Sequence, residues 1–165
     1  RLKTCTMSAI DESGVLAIAT RLMRLGEQFR RDGHLIYKEY GIEFEPKWFP
    51  VIYVLHCKKL MSVVEIAVEI GYAHPSTISL LKELEKQKLI RSSKDKTDER
   101  RRMIRLTEKG NQLVVRMKPV WQLFTSVISQ VIDTDNNLMQ AILEVEDQLK
   151  EKSFLVRARA GRVRG

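Results

Sequence analysis

Apolar residues near the start of the chain recur mostly three or four positions apart: Val15, Ile18, Leu22, Leu25, Phe29, Ile36 and Tyr40. That period belongs to an amphipathic helix, and it predicts one long helix from Asp11 to Tyr40, loosened at Gly33 and stopped by Gly41. Pro46 opens a second helix whose Trp48, Phe49, Ile52, Tyr53 and Leu55 make a heavily apolar surface. Pro50 falls in its first turn, where a missing N–H costs little. Ser62 and Glu65 have the S-x-x-E spacing of a capping box, in which each side chain satisfies a backbone N–H at a helix start. The helix they open carries Val63, Ile66, Ala67 and Ile70 and ends at Gly71; another runs from about His74 or Pro75 to Lys88. Two short helices joined by a tight glycine-containing turn form a helix-turn-helix.

After Lys88 the pattern changes. Leu89-Ile90-Arg91-Ser92-Ser93 and Met103-Ile104-Arg105-Leu106-Thr107 flank a polar, charged stretch, which reads as a β-hairpin, or wing. Helical spacing returns in Leu113, Met117, Val120, Trp121, Phe124, Val127, Ile128 and Val131. It breaks at residues 133–137 and resumes in Leu138, Ile142, Val145 and Leu149. The fold class is therefore mainly α with a small β-hairpin wing.

At 44% hydrophobic and 30% charged residues, the 165-residue chain has the composition of a folded globular protein. No apolar run approaches the roughly 20 residues of a membrane span, and residues 1–10 hold no signal-peptide core, so the cytoplasm is the expected location. The net charge of +8 is unevenly placed. Residues 82–105 hold ten basic and five acidic side chains, and Arg157, Arg159, Arg162 and Arg164 form a basic tail, so the remainder is nearly neutral. Concentrated basic patches suit phosphate-backbone binding, where each neutralised phosphate releases counterions.

Viewed down its axis, the second helix of the motif turns Ile78, Leu80, Leu81 and Leu84 to the core. Pro75, Ser79, Lys82 and Lys86 face outward, with Ser76 and Glu83 at the edges. Small hydroxyls at the helix start suit base edges, and the lysines suit phosphates. The hairpin adds Lys94, Lys96, Arg100, Arg101 and Arg102 among Asp95, Asp98 and Glu99. An arginine at a wing tip fits a narrow minor groove, and a nearby carboxylate holds a neighbouring guanidinium in place. An amphipathic surface helix or a solvated charge run explains either feature alone. Their succession points to double-stranded DNA.

Other chemistry is thinner. The chain has no glycine-rich phosphate loop, nucleophile elbow or zinc-hydrolase motif, so no enzyme activity and no cofactor are expected. Cys57 on an apolar helix reads as a buried, inert thiol, and Cys5 lies in a loose N-terminal segment. His34, His56 and Cys57 lack metal-site spacing. Trp48, Phe49 and Tyr53 line either an aromatic-binding cavity or the core.

Residues 61–110 resemble the MarR family of bacterial transcriptional regulators. The resemblance rests on Val64-Glu65-Ile66-Ala67 with Gly71, His74-Pro75-Ser76-Thr77, Leu84-Glu85-Lys86, Leu89-Ile90-Arg91, Asp98-Glu99-Arg100-Arg101 and Arg105-Leu106-Thr107-Glu108-Lys109-Gly110. It implies a winged helix-turn-helix at residues 45–108 and dimerisation helices at residues 1–44 and 109–153; the basic tail, residues 154–165, follows them. By the same resemblance a homodimer grips a pseudo-palindromic operator, usually as a repressor, and a small aromatic effector releases it. Asp98 and Arg100 match the family's wing pair, with Arg100 in the minor groove; Ser76, Thr77, Ile78 and Ser79 open the recognition helix. Two positions depart from the pattern: Ser79 is shorter than the residue often found there, and Lys88 stands where glycine is usual. The alternatives are a MarR-like module of a longer acetyltransferase and a winged helix used for protein docking.

Overall fold

Helix ends, more than helix interiors, set the layout of this chain. The computed structural model describes residues 8–98 and 100–162, which divide after Val120 into two compact units. The single helix expected over residues 11–40 is broken. Ser8 caps a short α1 (Ala9–Glu12) by accepting from the Asp11 N–H, Gly14 turns left-handed at φ 58°, and a 3₁₀ turn at Gly14–Ala17 leads into α2 (Ile18–Glu39). Gly33, expected to loosen the helix, is instead buried within an unbroken α2.

A 3₁₀ turn at Pro46–Trp48 opens α3 (Phe49–Lys58), and the strand β1 (Met61–Ser62) precedes α4 (Val63–Ile70). The capping box at α4 forms as expected. The Ser62 hydroxyl accepts from the Glu65 N–H, and the Glu65 carboxylate accepts from the Ser62 N–H at 2.7 Å. Gly71, at φ 70°, ends α4 and frees the chain to enter α5 (His74–Lys86).

The wing strands β2 (Ile90–Lys94) and β3 (Arg102–Leu106) pair antiparallel, with Ile90 opposite Leu106 and Ser92 opposite Ile104. β1 adds to the far side of β3, Met61 opposite Ile104, so the sheet order is β1-β3-β2. This pairing fastens the entry to the helix-turn-helix onto the wing. Inside, Val51, Ile52, Leu55, Ile66, Leu84, Ile104, Met117 and Val120 are almost wholly excluded from solvent. Each such side chain is worth roughly 1.5–3 kcal/mol of burial. Tyr37, Phe44 and Trp48 continue the core edge to face, with ring centroids 5.0 and 5.6 Å apart.

The run from Thr107 to Gly110 has a packing explanation. The Thr107 hydroxyl donates to the Lys88 carbonyl and accepts from the Gly110 N–H at 3.0 Å, capping α6 (Glu108–Ile132). α6 then starts so close to the turn after α5 that a Cβ on Gly110 would lie 2.2 Å from the Leu89 carbonyl oxygen. In the second unit, α6 is followed by α7 (Leu138–Glu151), capped by Asn137. Of the stretch expected as a basic tail, residues 154–162 form a further helix, α8 (Phe154–Arg162), and Arg164 lies outside the described residues.

Two substitutions should shift stability in opposite directions. Gly110→Ala should cost about 3 kcal/mol, because backbone must move. Lys88 lies at φ 59°, so Lys88→Gly should gain about 0.5–1 kcal/mol by removing left-handed strain. Urea unfolding checks both.

Candidate nucleic-acid interface

Helix α5 packs through Thr77, Leu80, Leu81 and Leu84, spaced i, i+3, i+4, i+7. Pro75, Ser76, Ser79, Lys82 and Lys86 are left exposed on its outer side. Two residues differ from expectation. Thr77, expected at the DNA-facing helix start, is fully buried, its hydroxyl donating to the Ala73 carbonyl at 3.1 Å. Ile78, expected in the core, is half-buried and lines a groove of about 590 Å³ together with His74, Val64, Asp98 and Arg100. The Thr77 hydroxyl satisfies itself on its own helix, so it is the cheaper of the two to bury.

At the wing tip both aspartates are spent on the turn. Asp95 Oδ1 accepts from the Thr97 N–H at 2.7 Å, the Thr97 hydroxyl at 2.6 Å and the Asp98 N–H at 3.3 Å. These bonds, the Thr97 hydroxyl first, hold the Asp95 carboxyl below the usual carboxylate range. Asp98 Oδ1 accepts from the Arg100 N–H at 3.0 Å. Asp98 therefore grips the backbone of Arg100, where a clamp on a guanidinium was expected.

The wing arginines take separate roles. Arg101 reaches back to Glu65 at 2.8 Å and to the Ser62 hydroxyl at 3.4 Å, tying the wing to the capping box of α4. Arg102 donates to Glu85 of α5 at 3.1 Å and to the Ser92 hydroxyl at 2.7 Å. Arg100 and Lys96 are exposed, and among the described residues neither pairs with a carboxylate. Lys94 is exposed at the end of β2. On the far flank of α5, Glu83 pairs with Lys47 at 2.8 Å. That ion pair holds the Glu83 carboxyl low.

The aromatic residues separate. Trp48 is buried and lines a cavity of about 740 Å³ whose floor includes Phe44, Leu89 and Leu113. Phe49 and Tyr53 are not in that lining; they stack on each other at 5.2 Å on the exposed side of α3. Two basic residues no pattern had singled out, Lys38 and Arg116, line the cavity too, together with Lys109 of the motif that ends at Gly110. Lys109 donates to the Gln87 carbonyl at 2.9 Å, and Arg116 to the Gly41 carbonyl at 2.6 Å. His34, also in the lining, donates to the Phe44 carbonyl at 3.3 Å. Cys57, expected buried, is exposed, while Cys5 lies outside the described residues. His56 is half-buried, and burial first, then Lys59 and Lys118, disfavours its protonation. Among the described residues no three metal-binding side chains cluster, and no helix is long and apolar enough to cross a membrane.

A helix-turn-helix with its outer face open, beside a basic wing pinned in place, defines a winged-helix DNA-binding regulator. Residues 33–117 match the sequence model of the transcriptional regulator SarA/Rot family, and the chain belongs to that family. Among solved structures, the transcriptional regulator PA4135 is similar at 25% identity and a TM-score of 0.61, over 82% of this chain and 96% of its own. A MarR variant from E. coli complexed with operator DNA is similar at 15% identity and a TM-score of 0.63, over 87% of this chain and 99% of its own. NadR in complex with 4-hydroxyphenylacetate is similar at 22% identity and a TM-score of 0.56, over 83% and 92%. Comparison with curated proteins gives no match. The fold is thus the MarR-type winged helix.

The Glu65 carboxyl is held below its usual range by the Ser62 N–H, then the Ser62 hydroxyl, then Arg101. A carboxyl more acidic folded than unfolded contributes stability above its unfolded value and loses it as pH falls through its folded value. The Glu65 side-chain resonance followed by NMR should therefore stay put from neutral pH down through the ordinary glutamate range and titrate only below it. In Arg101→Gln that step should move up towards the ordinary range.

Proposed function

We propose that this protein is a sequence-specific DNA-binding repressor that acts as a homodimer on a pseudo-palindromic operator and is released by a small aromatic ligand. The observation that carries the reading is the exposed Arg100 guanidinium at the tip of a tethered wing, beside the open face of α5. In this reading Ser76 and Ser79 approach base edges in the major groove, and Pro75 packs against its wall. Lys82 and Lys86 meet phosphates, Arg100 enters the minor groove, and Lys94 and Lys96 flank it on the backbone. Asp98, Arg101 and Arg102 shape and hold the wing. Occupying promoter DNA excludes other proteins from it, which is repression in its simplest form.

The dimer is supported by apolar surface that a lone chain rarely leaves open. Val15 and Leu16 are 88% and 86% exposed, with Ile18 and Met23 beside them in sequence. In the second unit, Met139, Leu143, Val145 and Leu149 of α7 are exposed as well. A second copy covers both sets. The effector reading rests on the cavity beside Trp48, whose volume lies in the range of about 300–1,000 Å³ used by small-molecule sites. NadR, of the same fold, binds 4-hydroxyphenylacetate. An acidic group in the cavity here would draw Lys109 from the Gln87 carbonyl, the C-cap of α5, and so disturb the recognition helix.

Fluorescence anisotropy with the DNA upstream of the protein's own gene tests the proposal. Binding should need two subunits per site and weaken steeply with salt. Arg100→Ala should weaken it by about 1–3 kcal/mol while the protein stays folded. Undiminished affinity in that variant would remove the wing from the interface. Adding 4-hydroxyphenylacetate and related phenolic acids should lower DNA affinity, and indifference to all of them would remove the effector.

A further inference from the structure

The two faces of the wing sheet carry different chemistry. Ile90, Ile104 and Leu106 are buried on the face that packs on the helices, and Arg102 on that same face reaches Glu85 of α5. Arg91 and Arg105 are directly opposite each other in the register and fall on the other face, turned away from the recognition helix. Like charges directly opposite across two strands destabilise the pair. Both arginines line a cavity of about 420 Å³ with Lys59, Asn111 and Glu108, and its lining also includes Leu55, Leu106 and Thr107.

Three cations thus meet one carboxylate there, and Glu108 already accepts from Gln112 at 3.2 Å. Among the described residues, Lys59, Arg91 and Arg105 form no ion pair. Lys59 also sits at φ 67°, a left-handed backbone that a side chain adopts at a cost and glycine does not. The local field is positive enough that Lys59 contributes to disfavouring the protonation of His56.

We propose that this cavity binds a small organic phosphate monoester between Arg91 and Arg105. The dianion matches the excess of two positive charges, and a guanidinium fork holds phosphate oxygens in pairs. A volume several times that of a bare oxyanion accommodates an organic group. A DNA phosphate has the same chemistry. The orientation away from α5 favours a separate small ligand.

Thermal unfolding and calorimetry of the full chain with phenyl phosphate, inorganic phosphate and, at matched ionic strength, sodium chloride test this. Phenyl phosphate should raise the Tm saturably and above the chloride control, with inorganic phosphate doing so more weakly. Arg105→Gln should weaken phenyl phosphate binding about tenfold or more, the loss of one charge-assisted contact. Arg105→Glu should abolish binding, yet unfold at a higher Tm than the wild type in chloride, because it turns a repulsive pair into an attractive one. Arg100→Ala should leave phenyl phosphate binding unchanged. The proposal is overturned if phenyl phosphate acts no more than chloride does, or if Arg105→Gln binds it as well as the wild type. It is equally overturned if Arg105→Gln lowers DNA affinity and reduces its salt slope by about one, which would make the cluster a DNA-backbone contact.

Discussion

The Glu65 carboxylate is the point where three parts of the DNA-binding lobe meet. It accepts the Ser62 N–H and hydroxyl at the start of α4, and it receives the Arg101 guanidinium from the wing. Ser62 is itself a residue of β1, paired opposite Met103 of β3. One acidic side chain therefore joins the first helix of the helix-turn-helix, strand β1 and the wing. The distance between wing tip and recognition helix follows from that junction together with the Arg102–Glu85 bond.

Each of these ion pairs is partly exposed, and a single exposed pair is worth about 0–1 kcal/mol. Their importance lies in geometry. The stability of the lobe comes from Ile52, Leu55, Ile66, Leu84, Ile104 and Met117, which would hold the helices together without the wing tip. The polar contacts decide where that tip points. Asp95 and Asp98 close the turn on backbone N–H groups, and Arg101 and Arg102 anchor its flanks. Arg100 is then presented outward on a framework that these contacts hold. Preorganisation of this kind lowers the ordering cost of binding.

Much of the fold was legible because its signals are local. The capping box at Ser62 and Glu65, the stop at Gly71 and the periodic stripes of α2, α5 and α6 all lie within a few residues. β1 escaped notice because two residues, Met61 and Ser62, carry no period and pair only through β3, some forty positions away. The break at Gly14 was hidden because the stripe that marks the helix begins at Val15, inside the 3₁₀ turn itself. Thr77 and Ile78 exchanged places because a hydroxyl able to bond its own helix can be buried as an apolar group would be. The division of labour among Arg100, Arg101 and Arg102 was illegible for another reason. The carboxylates that occupy Arg101 and Arg102 lie 36 and 17 residues away, and adjacent arginines look alike until those partners are placed. The same holds for Lys38, Lys109 and Arg116, gathered around one cavity from opposite ends of the first unit.

The central claim is that Arg101 serves DNA binding through Glu65 and does not touch DNA itself. A double-mutant cycle on DNA affinity with Glu65→Gln, Arg101→Gln and the double variant tests it most directly. Either single change breaks the same tether, so the account predicts that each weakens binding and that the double variant loses no more than the worse single. If Arg101 contacts a phosphate instead, Arg101→Gln alone weakens binding, Glu65→Gln leaves affinity unchanged or strengthens it by removing a negative charge, and the two effects add. That result would contradict the account.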